Sequence, residues 1–100
     1  MKQSQIILIT GASSGFGKIT AQTLAAQGHI VYGTSRKQTE NKGNVTMLVA
    51  DVTDNSSIHY VVEHIMKEQG RIDVLINNAG MGIGGALELA TDIDYLSFTL

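Results

Sequence analysis

Residues 6 to 9 read Ile-Ile-Leu-Ile, an unbroken aliphatic run that ends at Thr10 and leads directly into Gly11-Ala-Ser-Ser-Gly-Phe-Gly17. Apolar residues at every position, rather than every second one, predict a strand covered on both faces, as in a parallel sheet. Behind the glycines the period changes. Phe16, Ile19, Thr20, Thr23 and Leu24 recur at helical spacing over Gly15 to Gln27, padded by Ala21, Ala25 and Ala26, and Gly28 is placed to stop that helix. His29 to Thr34 reads as a second short strand, Ser35 to Asn44 as a polar loop, and Val45 to Ala50 as a third strand ending at Asp51. Thr53 or Asp54 can cap the next helix, whose Ile58, Val61, Val62, Ile65 and Met66 fall at i, i+3, i+4, i+7 and i+8. Glu63 and Lys67 add an i,i+4 pair worth about 0.3 kcal/mol. Gly70 closes the helix, Asp73 to Asn77 forms a fourth strand, and a further helix starts at Thr91.

Strands alternating with helices predict an α/β fold, a doubly wound parallel sheet with right-handed crossovers. The strand order 3-2-1-4 places the glycine loop of the first strand at the switch point, beyond the strand ends where ligands settle. One connection is short for a parallel crossover: about ten residues between the second and third strands leave room for one helical turn. No repeat, low-complexity tract or interdomain linker interrupts the chain.

Composition narrows the function. With 43% hydrophobic and 16% charged residues, the 100-residue chain reads as an ordinary globular domain. Its formal net charge of -2 provides no basic footprint for nucleic acid or an anionic membrane. The absence of cysteine excludes disulfides, thiolate metal sites and cysteine nucleophiles. The N-terminal apolar run is too short for a signal-peptide core or a membrane span, so a cytoplasmic protein is expected.

A strand that delivers a Cβ-poor turn to the start of a helix presents free backbone N–H groups and the positive end of the helix dipole, a site for phosphate. Two rival motifs compete for the same residues. A Walker A loop ending at Gly17-Lys18 would need Gly at position 12 and Ser or Thr at position 19, where the chain has Ala12 and Ile19. Gly11-Ala-Ser13-Ser-Gly15 matches the G-x-S-x-G nucleophile elbow, but here the elbow would come from the first strand, without the upstream strands and oxyanion loop such a hydrolase needs, and no histidine follows His64 to complete a Ser…Asp…His order. A third reading, in which the glycines only shape a turn, stays open.

Further along, Asp51-Val52 closes the third strand and Asn77-Asn-Ala-Gly80 closes the fourth. Together with Thr10-Gly-Ala-Ser-Ser-Gly-Phe-Gly17, these motifs resemble the short-chain dehydrogenase/reductase family. The G-x-x-x-G-x-G spacing is similar to its single-domain branch rather than the extended branch with G-x-x-G-x-x-G. The resemblance runs over essentially the whole chain and implies a Rossmann sheet that binds a nicotinamide dinucleotide. It implies that Gly11, Gly15 and Gly17 line the pyrophosphate, with Phe16 among the cofactor contacts, and that Ser13 and Ser14 approach the adenosine ribose and its phosphate. Asp51 and Val52 would contact the adenine, the Asp51 carboxylate accepting from its exocyclic amine. Asn78, Ala79 and Gly80 would run beside the adenosine-side ribose, while Thr10 ties the first strand to that segment. Asp51 has a second reading as a turn cap, and Asn77 reads as a sheet-stabilising residue.

Cofactor choice rests on the end of the second strand. An NAD-binding sheet places Asp or Glu there, roughly 20 residues past the glycines, to accept from the ribose 2′-hydroxyl. This chain has Thr34-Ser-Arg-Lys37 instead. Arg36 can grip a 2′-phosphate with a charge-assisted fork and Ser35 can add a hydroxyl donor, which favours NADP(H) over NAD(H). The competing reading is that Arg36 and Lys37 are solvated loop charges.

The proton-moving residues of the family, a Ser and a Tyr-x-x-x-Lys pair, are not in this sequence. Tyr32 precedes Arg36, Tyr60 precedes His64 and Tyr95 precedes Thr99 at that spacing, so each reads as packing or surface. His59 and His64, five apart, are out of register for a shared metal. Residues 1–100 therefore read as the NADP(H)-binding segment of an oxidoreductase acting on an alcohol or ketone, ending before the catalytic segment. On this reading no site residue is catalytic, and the chain alone is expected to be inactive. The expected substrate is a small molecule with an apolar character similar to that of hydroxysteroid- and retinol-dehydrogenase-like members, and the full-length form is expected to be a homo-oligomer. The alternative is a non-catalytic nucleotide-binding fragment of an interrupted gene. Val74 to Ile76 would form an unpaired apolar edge, so the isolated chain is expected to associate or dissolve poorly.

Overall fold

A computed structural model describes residues 4–41, 43–78 and 96–99. It contains β1 (Ile6–Thr10), α1 (Gly15–Ala26), β2 (Ile30–Ser35), β3 (Val45–Val49), α2 (Asn55–Gln69), β4 (Val74–Asn77) and β5 (Leu96–Thr99). The strands form one sheet in the order β3-β2-β1-β4-β5, and each neighbouring pair is parallel. The expected 3-2-1-4 order is therefore present, with one strand added. From β1 to β4, the expected elements begin and end within a residue of those observed.

β1 is central, and every residue in it is buried. Its side chains alternate between two cores, as a strand covered on both faces requires. Ile6 and Leu8 join Tyr32, Leu75 and the α2 residues Ile58, Val61, Val62 and Ile65 on one side. Ile7 and Ile9 join Val31, Val74, Ile76 and the α1 residues Ala21 and Ala25 on the other. The α2 stripe is the one its spacing predicts. Asp54 caps that helix by accepting from the Ser56 N–H at 2.9 Å, and Gly70 closes it in the left-handed region, donating to the Met66 carbonyl. Glu63 bonds His59 at 2.8 Å, where an ion pair with Lys67 was expected.

Three expectations are overturned. α1 does not pack through Phe16 and Ile19, which are 79% and 61% exposed; it packs through Gly17, Ala21 and Ala25. Small residues at i, i+4 and i+8 let the helix backbone lie close to the sheet, and larger side chains on that face would hold it away. The helix expected from Thr91 is not seen at Leu96–Thr99, where the chain is extended and pairs with β4; residues 91–95 lie outside the described residues. Val74–Ile76 is not an open edge, because β5 covers it and becomes the edge itself, with Leu96 and Phe98 exposed. At the opposite edge, the Asn41 side chain accepts from the Met47 N–H of β3 at 2.8 Å, satisfying an outward-facing donor. The short β2–β3 connection holds no helix among its described residues.

Candidate functional site

Parallel pairing brings the C-terminal ends of β1, β2 and β3 to one side of the sheet. The segments leaving those ends face one another across a groove of about 500 Å³. Gly11, Ser13 and Ser14 contribute from β1, Thr34 to Lys37 from β2, and Ala50 to Thr53 from β3. Seven of the expected residues thus meet in one place: Gly11, Ser13, Ser14, Ser35, Arg36, Asp51 and Val52. Gly15, Phe16 and Gly17 form the first turn of α1 beside it without lining it, and the Phe16 ring is exposed. Asn78 lies beneath the loop, and Ala79 and Gly80 fall outside the described residues.

The β1–α1 turn depends on its glycines. Gly11 and Gly15 take φ values of 66° and 61°, a region costly for other residues. Gly17 meets a packing limit: a Cβ there would collide with the Gly11 carbonyl oxygen and the Asn78 side-chain nitrogen. Ser14 is the extended N-cap of α1, yet its hydroxyl makes no capping bond and the first turn carries no acidic side chain. The first N–H groups of α1 have no partner within the helix and no local carboxylate, which leaves the positive end of the helix at the groove.

The loop is tied down from both flanking strands. On the β4 side, the Asn78 N–H donates to Thr10 Oγ1 at 3.0 Å and the Asn78 Nδ2 donates to the Gly11 carbonyl at 2.9 Å. Thr10 Oγ1 donates to the buried Asn77 Oδ1 at 3.2 Å, in keeping with the sheet-stabilising reading of Asn77 and the tying role of Thr10. On the β2 side, Thr34 Oγ1 accepts from the Gly11 N–H at 3.1 Å, and the Thr34 carbonyl accepts from the Ala12 N–H at 2.9 Å. Sequence reasoning missed Thr34. A threonine within a strand carries no local signal, and only the register, with Ile9 opposite Gly33, sets it beside the loop.

Across the groove, Asp51 Oδ1 accepts from both the N–H and the hydroxyl of Thr53, at 2.9 and 2.6 Å. This is the turn-capping role held open for Asp51, and it engages one oxygen. The other, Oδ2, stands 3.8 Å from the Arg36 guanidinium. The Thr53 hydroxyl and N–H, with a smaller contribution from Arg36, hold the Asp51 carboxyl below its usual range despite some desolvation. Arg36 is 77% exposed, so the pair is a loose surface contact, and the cationic head is available to a ligand in the groove.

Elsewhere, Tyr32 is buried, donating to Glu68 at 2.7 Å and accepting from Gln69 at 3.0 Å, which confirms a packing role. His64 pairs with Glu68 at 3.1 Å. Among the described residues, no group of three His, Cys, Asp or Glu could hold a metal, and no helix is long and apolar enough to cross a membrane.

Residues 5–97 match the family described as short chain dehydrogenase. A 3-ketodihydrosphingosine reductase of Bacteroides thetaiotaomicron is 76% identical over 90 residues, covering 90% of this chain and 34% of the relative. A 3-oxoacyl-(acyl-carrier-protein) reductase of Salmonella typhimurium is 41% identical over 86 residues, covering 79% of this chain and 35% of the relative. The chain thus spans about a third of the length of these curated relatives. Among solved structures, an NADH-dependent reductase complexed with NAD superposes with a TM-score of 0.70 at 31% identity, over 79% of this chain and 37% of that one.

Proposed function

The chain belongs to the short-chain dehydrogenase family, and from that premise we propose that residues 1–100 form the cofactor-binding part of an NADP(H)-dependent reductase acting on a ketone or its alcohol. The observation that carries the cofactor assignment is Arg36, exposed at the groove with Lys37 beside it, at the end of β2 where an NAD-binding sheet would present a carboxylate. The fold alone does not choose, since the NADH-dependent reductase shares it.

In this reading the pyrophosphate lies against the first turn of α1, where the N–H groups are uncapped, with the Ser13 and Ser14 hydroxyls toward the ribose and its phosphate. The 2′-phosphate meets Arg36 and Ser35. Asp51 Oδ2, the oxygen that Thr53 leaves open, accepts from the adenine amine, and Val52 packs against the ring. Asn78 supports the loop through the Gly11 carbonyl, and Ala79 and Gly80 are the further residues assigned to the ribose. NADP(H), when bound, supplies the hydride chemistry. Residues 1–100 contain no Tyr-x-x-x-Lys pair, so they hold and orient the cofactor without moving the substrate proton. The name of the Bacteroides relative, a 3-ketodihydrosphingosine reductase, supports a ketone on an apolar molecule as the substrate class.

The test is calorimetric titration of NADP⁺ and NAD⁺ into the chain and its Arg36→Glu variant. Loss of a charge-assisted contact worth about 1.5–3 kcal/mol weakens NADP⁺ roughly 10- to 100-fold, while NAD⁺ affinity changes little. Unchanged NADP⁺ affinity in the variant would refute the assignment.

A further inference from the structure

Both polar backbone atoms of Gly11 are engaged within the protein: its N–H by Thr34 Oγ1 at 3.1 Å and its carbonyl by Asn78 Nδ2 at 2.9 Å. A glycine at the head of a phosphate loop is ordinarily read as presenting its N–H to the ligand. Here that N–H faces β2. Thr34 is 1% exposed, so its hydroxyl is fixed where it stands, and its carbonyl holds the next amide, that of Ala12. Two consecutive loop amides are therefore anchored by one residue of the neighbouring strand.

We infer that Thr34 is a positioning residue for cofactor binding: its hydroxyl occupies the Gly11 amide and, with its carbonyl on the Ala12 N–H, pins the start of the β1–α1 loop to β2, leaving the groups from Ser13 onward to meet the phosphates. This rests on the dinucleotide reading above. Gly11 sits at φ 66°, and a glycine peptide without an anchor has other conformations close at hand. With an apolar residue at 34, the Gly11 N–H has lost its acceptor and can regain one only by rotating the peptide toward water or the ligand. Either rotation moves Ala12 and Ser13, and with them the approach to α1. The methyl group of Thr34 cannot substitute for the hydroxyl in this role, although it serves β-strand packing equally well.

Thr34→Val and Thr34→Ser separate the two contributions. Valine keeps the shape and raises strand propensity but removes the acceptor; serine keeps the acceptor and removes the methyl. In the 100-residue chain, NADP⁺ titration is expected to show about tenfold weaker binding for Thr34→Val and near-unchanged binding for Thr34→Ser. Amide hydrogen exchange read by NMR supplies a ligand-free measure: Gly11 is expected to be protected in the parent and the serine variant and to exchange faster in the valine variant. Parent-like binding and Gly11 protection in Thr34→Val would overturn the inference, as would a serine variant as impaired as the valine one. If the parent chain binds no NADP⁺, the dinucleotide reading fails, and Gly11 exchange still decides whether the hydroxyl holds the loop. Should Thr34→Val not fold, Thr34→Ala removes the hydroxyl without adding apolar bulk, and loss of Gly11 protection in a folded Thr34→Ser protein would by itself refute the role.

Discussion

Gly17→Ala sets two physical effects against each other, and the sign of the result identifies the larger. Considered as a helix alone, α1 should gain from the change, because alanine exceeds glycine in helix propensity by at most ~1 kcal/mol. The tertiary contact opposes it. The new methyl would overlap the Gly11 carbonyl oxygen and Asn78 Nδ2 and stand 3.1 Å from Asn78 Cγ, where carbon pairs prefer about 3.5–4.0 Å. Neither partner has an easy retreat. Asn78 can move only by giving up its bond to Gly11, and α1 can withdraw only by lifting Ala21 and Ala25 from the core. Overpacking costs about 1–3 kcal/mol, and breaking the Asn78–Gly11 bond about 1–3 kcal/mol more. Less the propensity gain, the net loss is about 3 kcal/mol within a range of roughly 1–5. For a domain of this size that lowers Tm by about 12–24 °C without abolishing a fold stabilised by about 5–15 kcal/mol. Urea unfolding followed by far-UV circular dichroism measures it, with Gln22→Ala against Gln22→Gly, at an exposed interior position of α1, as the control that reports propensity. A Gly17→Ala protein as stable as the parent, or more so, would show that the loop and helix do not meet as described.

Tyr32→Phe should cost about 1 kcal/mol at neutral pH by removing the bonds to Glu68 and Gln69, and it should also change the alkaline limb. Burial raises the Tyr32 pKa above its usual 10.0, with Glu68 adding to the rise and Gln69 opposing it. The folded state favours the protonated phenol, so this contribution is complete below pH 10 and is lost as pH rises through the folded value. Denaturant midpoints between pH 8 and 11 should fall less steeply for the variant than for the parent, and parallel curves would contradict the assignment. At β5, Leu96→Lys combined with Phe98→Lys should reduce self-association in light scattering, because two large exposed apolar side chains on one short strand make an aggregation surface. An unchanged scattering mass would place the association elsewhere.

What could be read from the chain in advance depended on how strongly each element declares itself locally. The stripe Ile58, Val61, Val62, Ile65 is legible because large apolar residues at helical spacing have one efficient use, and all four are buried. β1 is legible for the same reason, as is the meeting of the three strand ends, since alternation with helices forces parallel pairing. α1 misleads because its packing face is built from Gly17, Ala21 and Ala25, whose value lies in their small size, while the larger Phe16 and Ile19 face outward. Leu96-Ser-Phe-Thr99 alternates as a strand does, but a four-residue segment is too short for its period to outweigh a neighbouring helical pattern. Within the groove, the glycines and Asp51 announce themselves by residue type. Thr34 does not, because its importance comes from register against β1, a property of two strands together.

The separation between the residues that shape the loop and those that face solvent at the end of β2 has an evolutionary consequence. Thr34, Asn78 and Gly17 all converge on Gly11 and are enclosed or partly enclosed by their neighbours. Arg36 lies two residues beyond Thr34, exposed, with Asp51 as its ion-pair partner. Changes at the first set alter contacts with other elements, so each is constrained by its partners. Changes at the second meet mostly water, and can accumulate singly without disturbing the packing behind them. A lineage built on this sheet is thereby free to vary at one exposed strand end, while the β1–α1 loop beside it stays as it was.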